Sequence, residues 1–137
     1  MNLSSRCDYA VRAVVELGRR AGVEKPCTAT TIADEQNIPE KYLVHILLQL
    51  KRAGIVRSIR GAQGGYLLER PPGAVNLLDV VTAVEGPVLD PPPGNDTASD
   101  EVVMAWKKVA RGLSEALEAV SIQSILDDAA KPDMYFI

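Results

Sequence analysis

The run TIADEQNIPEKYLVHILLQLKRAGIVRSIRGAQGGYLLERPP, residues 31–72, decides the fold. At its centre Pro39 opens a helix where its missing N–H costs nothing, and Glu40 sits in the first turn, where the helix dipole favours an acid. Tyr42, Leu43, Ile46, Leu47 and Leu50 then recur at helical spacing as the inward face, and Gly54 stops the helix. Upstream, Thr28 caps a short helix over residues 28–36 that turns Ile32 and Ala33 inward and Asp34 and Glu35 outward. Asn37-Ile38 joins the two, because Asn tolerates the left-handed backbone of a tight turn. Downstream, the β-branched run Ile55–Ile59 reads as a strand, Arg60–Gly65 as a flexible tip, and Tyr66–Glu69 as the return strand of a hairpin. Helix, turn, helix and hairpin over residues 28–70 spell a winged helix-turn-helix.

Outward from this unit, residues 8–21 carry Tyr9, Val11, Ala13, Val14, Val15 and Leu17 in a broad helical stripe. Arg12, Glu16, Arg19 and Arg20 are left outward, Asp8 or Ser5 is the expected cap, and Gly22 the expected stop. Residues 76–86 form a short helix capped by Asn76 and ended by Gly86-Pro87. The proline-rich stretch at 87–100 is a loop. Residues 101–127 are expected as one long helix whose stripe, Val102, Trp106, Val109, Leu113, Leu117 and Val120, is core or dimer seam. The fold class is therefore mainly α with a small β wing. Residues 1–75 read as the winged helix-turn-helix DNA-binding domain, and residues 76–137 as a short helix, a loop and a long C-terminal helix.

Composition narrows the function. Apolar residues make up 47% of the 137, enough for a packed core. No run has the roughly 20 apolar residues of a membrane span, and no signal peptide opens the chain, so a cytoplasmic protein is expected. The net charge of -3 divides unevenly: residues 1–72 hold 11 Lys+Arg against 7 Asp+Glu, and residues 73–137 hold 4 against 11. Only the first half is suited to face an anion. One His and two Cys, at 7 and 27, make neither a catalytic pair nor a metal-ligand cluster, so no enzyme activity and no cofactor are expected.

A recognition helix needs polar groups in front of an apolar face. In the helix over 39–53, Lys41 and His45 lie four apart on one face and can reach a phosphate or a base edge, and Val44 can touch a thymine methyl. Arg57 and Arg60 precede the Gly-rich tip of the wing at 57–68, which suits Arg60 to a narrow minor groove. Ser4, Ser5 and Arg6 are suited to phosphate contacts at the head of the first helix.

Three pieces, LSSRCDYAVRAVVELG at 3–18, the run at 31–72 and NLLDVVTAVEGP at 76–87, resemble the Rrf-two-type (IscR/NsrR/CymR-like) bacterial winged helix-turn-helix transcription regulators. The resemblance implies a homodimer that binds a palindromic operator of double-stranded DNA, joined by the long C-terminal helix. It places Lys41, Val44 and His45 where the family reads bases, and Arg60 at the wing arginine of the minor groove. Many members hold an iron–sulfur cluster through three cysteines between the short helix and the long one. Here that stretch is GPVLDPPPGNDTASDEVV, without cysteine, and Asp8, which matches an extra acidic ligand of some members, is left as a cap or structural residue. The implied protein is a cluster-free regulator, a repressor by expectation, whose signal is a small-molecule effector, a thiol or a regulatory protein. The alternative is a winged-helix interaction module that acts through a partner enzyme.

Overall fold

The structure, a computed structural model, describes residues 3–90 and 100–131. Within them lie six α-helices, a 3-10 turn at Pro72–Ala74 and a two-stranded antiparallel sheet. The apolar C-terminal tail at 134–137 lies outside the described residues.

α1 spans Ser5–Arg19 and packs against α2, α3, α4 and α6, so it is the spine of the molecule. Its cap is Ser4, one residue before the expected pair: the Ser4 hydroxyl accepts the Cys7 N–H at 3.0 Å. Asp8 instead pairs with Arg12 at 2.7 Å, one turn on. The helix ends before Gly22, with Arg20 as its C-cap. Glu16, expected outward, is only 2% exposed. Its carboxylate accepts from Arg19 at 2.9 Å, Arg20 at 2.7 Å and Gln36 at 2.9 Å, which offsets the cost of burying the charge. Periodicity could not show this, because the partner Gln36 arrives from the next helix.

α2 (Ala29–Gln36) starts at the Thr28 cap and stops where Asn37 turns left-handed at φ 54°. α3 (Glu40–Arg52) follows and buries Leu43, Ile46, Leu47 and Leu50. Each such burial contributes about 1.5–3 kcal/mol. It closes with paired bonds, Gly54 N–H to the Lys51 carbonyl and Ile55 N–H to the Leu50 carbonyl, with Gly54 at φ 76°. That cap hands the chain straight to β1 (Val56–Ile59), which pairs with β2 (Gly65–Leu68) in the register Val56 to Leu68 and Ile59 to Gly65. The hairpin is also sewn to the segment before α2. Cys27 N–H donates to the Tyr66 carbonyl at 3.0 Å, and Tyr66 N–H donates back at 2.8 Å. A side chain at Gly65 would put its Cβ 2.6 Å from the Cys27 carbonyl oxygen, so glycine is required there.

α4 (Leu77–Glu85) opens on a reciprocal cap between Asn76 and Asp79 and ends at Gly86 with φ 77°. The expected single long helix is two. α5 covers Asp100–Glu118, Ser121 caps a new start, and α6 covers Ile122–Ala129. Val120 therefore falls in the connecting turn, where its carbonyl accepts the Leu77 N–H at 2.9 Å, while Ile122 N–H reaches Val75 at 2.8 Å. These bonds turn α6 back onto α1, where Gly18 leaves room for Ile122 and Leu126. Val75, Val80, Val84 and Ile122 share one buried cluster with Ala10, Val14 and the α3 leucines.

Candidate nucleic-acid interface

The buried stripe of α3 determines which side chains remain outside. Leu43, Ile46, Leu47 and Leu50 are at most 1% exposed, which leaves Lys41, Val44, His45 and Leu48 in solvent. Three of the residues singled out from the sequence thus share the outer face of one helix. Glu40 is held by the Thr30 hydroxyl at 2.8 Å, which ties the start of α3 to α2.

Tyr42, expected in the inward stripe, is half exposed instead, with the Lys41 ammonium 5.5 Å from its ring centre. It faces the head of α1. Ser5, Arg6, Tyr9, Tyr42 and Ile46 line a cleft of about 360 Å³ between α1 and α3. The cleft brings a hydroxyl, a guanidinium and two phenols to the edge of α3. Tyr42 reads as core from its helical spacing alone, although the polar end of its ring suits a wet boundary.

The wing carries its cations differently. Arg57 lies opposite Leu67 in the ladder, 3.9 Å from the Glu69 carboxylate. Lys51 reaches from α3 to the Ser58 hydroxyl at 2.8 Å and fastens the hairpin to the helix. Arg60 stands at the exposed start of the tip, with no ion pair among the described residues. The tip is glycine-rich for a steric reason: a Cβ at Gly64 would lie 2.2 Å from the Ile59 carbonyl oxygen.

The apolar stripe of α5 splits into two. Val102, Trp106 and Val109 are about half exposed, and Leu113 and Leu117 are partly buried toward α1 and α4. Among the described residues no helix is long and apolar enough to cross a membrane.

A recognition helix with polar groups outward, braced by a preceding helix and flanked by an arginine-tipped wing, defines a winged-helix transcription regulator. A family model described as Rrf2, iron-dependent transcriptional regulator, matches residues 3–128. The chain belongs to the Rrf2 family of transcriptional regulators. It is similar to the HTH-type transcriptional regulator CymR of Bacillus subtilis, at 30% identity over 142 residues and all of both chains. Among solved structures it is similar to T. potens IscR, with TM-score 0.76 and 32% identity, covering 94% of this chain and 88% of that one. The structure of B. subtilis CymR matches with TM-score 0.75 and 29% identity, covering 91% and 95%.

The family description names iron, and the donor set of this chain does not fit an iron–sulfur cluster. Its two cysteines are both buried, Cys7 in the first turn of α1 and Cys27 in the bridge to Tyr66. Burial raises both thiol pKa values above the ordinary one, with the charges of Glu85 and Asp8 adding at Cys7. A cluster needs several deprotonated, convergent thiolates. No group of three or more candidate metal ligands occurs among the described residues.

Proposed function

We propose that the protein is a cytoplasmic homodimeric repressor that reads a palindromic operator without an iron–sulfur cluster. Residues 1–75 form the DNA-reading head, and residues 76–137 carry the dimer contact. In this reading α3 enters the major groove with Lys41, Val44 and His45 toward base edges. The wing lays Arg60 into the minor groove, supported by Arg57, while Ser5 and Arg6 hold phosphates. The exposed apolar residues Val102, Trp106 and Val109 of α5 form the seam between copies, since half-exposed side chains of that size on one helix face favour burial.

The observation that carries the reading is the shared outer face of Lys41, Val44 and His45 beside a wing whose Arg60 has no intramolecular ion pair among the described residues. The test is a mobility shift and titration on DNA from the protein's own promoter region. Sequence-dependent binding that falls steeply with salt is expected. Arg60→Ala should weaken it by roughly 1–2 kcal/mol, about 5- to 30-fold, with the melting temperature unchanged. Absence of any sequence-dependent shift at low salt refutes the proposal.

A further inference from the structure

A cavity of about 350 Å³ lies between the head of α1, the end of α4 and the second half of α5. Its size is at the lower end of the roughly 300–1,000 Å³ of small-molecule sites. Leu3, Val81, Val88, Leu113 and Leu117 give it apolar walls. Its polar groups are gathered at one place, because the Ser4 hydroxyl donates to the Glu85 carboxylate. No Lys or Arg pairs with Glu85 among the described residues. The negative charge is felt inside, since Glu85 helps raise the pKa of the Cys7 thiol on the cavity wall.

We propose that this cavity binds the regulator's effector, a small amphiphile with an apolar body and a cationic, amine-type head that pairs with Glu85. The inference rests on the transcription-regulator reading above and names the signal it leaves open. Apolar walls with a single carboxylate favour a cation with an apolar tail over an anion or a sugar. The coupling is built into Ser4, whose oxygen accepts the Cys7 N–H that starts α1 and whose hydroxyl donates to Glu85. An ammonium head that donates to Glu85 competes with the Ser4 hydroxyl for that carboxylate and shifts the start of α1. The next two residues, Ser5 and Arg6, line the cleft beside Tyr42 on the DNA-facing side. The signal therefore crosses one helical turn.

The test uses the full chain, first without DNA, and three probes with one body: 2-phenylethylamine, 2-phenylethanol and phenylacetate, titrated by NMR or calorimetry. The amine should bind about fivefold tighter than the alcohol, the worth of an exposed ion pair, and the acid weakest. Glu85→Gln keeps an acceptor for Ser4 and should erase the preference for the amine. Leu117→Trp should fill the cavity and abolish binding of all three, with circular dichroism to check the fold. Saturating amine should change the affinity for operator DNA at least threefold. Equal binding of the three probes, a preference that survives Glu85→Gln, or an unchanged DNA affinity overturns the proposal. So does the absence of binding at millimolar concentration, the result expected if a second copy fills the space. DNA binding without amine binding overturns this inference alone. Amine binding without any operator binding supports the site and refutes the operator reading.

Discussion

Glu16→Gln removes one charge from the contact between α1 and α2 while keeping shape and volume. The native carboxylate accepts three hydrogen bonds, from Arg19, Arg20 and Gln36. Charge-assisted bonds are worth about 1.5–3 kcal/mol each. The two arginine side chains are 56% and 39% exposed and recover solvation when released, so about 1 kcal/mol apiece is the appropriate share. With the weakened bond to Gln36 the total is about 2–3 kcal/mol, or a melting temperature lower by roughly 8–12 °C for a chain of this size. The pH dependence supplies a second check. Burial pushes the Glu16 pKa up, but the hydrogen bonds from Arg20 and Gln36 and the charges of Arg19 and Arg20 outweigh it, and the pKa is lowered. A lowered folded pKa contributes stability that is complete above the unfolded value of about 4.3 and is lost as pH falls through the folded one. Urea titrations at pH 7, 5 and 4 should therefore show a gap between native and Glu16→Gln that is constant down to pH 5 and begins to close in more acid solution. A loss under 2 °C at pH 7, or a gap that widens in acid, refutes the reasoning.

Three further outcomes follow from other parts of the molecule. Trp106→Glu places a charge in the middle of the exposed stripe of α5, where Trp106 is 48% exposed; sedimentation should show a monomer with an unchanged helical signal, and a persistent dimer would move the seam elsewhere. Gly65→Ala drives a Cβ to 2.6 Å from the Cys27 carbonyl oxygen at a φ of 153°, so it should cost at least about 2 kcal/mol in denaturant titration, against nearly nothing if the hairpin is free to move away. Cys7 and Cys27 are buried with raised pKa values, so a disulfide reagent at pH 8 should label both about tenfold or more slower in the native protein than in guanidinium; fast native labelling would show that the α1 head or the Cys27 bridge opens readily.

Local chemistry determined much of this protein. Thr28, Asn37, Pro39 and Gly54 punctuate the two helices of the reading unit by their own backbone preferences, and Asn76 and Gly86 do the same for α4. The wing was legible from two short strand-forming runs around a Gly-rich tip, and the outer face of α3 because burial at helical spacing leaves only certain residues outside. Other features depended on contacts between segments distant in the chain. The apolar stripe keeps its phase only from Val102 to Val120 and resumes out of phase at Ile122, Ile125 and Leu126, where the bonds of Val120 and Ile122 to the segment around α4 divide the chain into α5 and α6. Glu16 reads as a solvent residue until Gln36 is folded over it, and Tyr42 as core until the head of α1 limits how far the domain extends. A sequence records which side of a helix is apolar; which neighbour covers that side, and how much of it, is decided by packing in three dimensions.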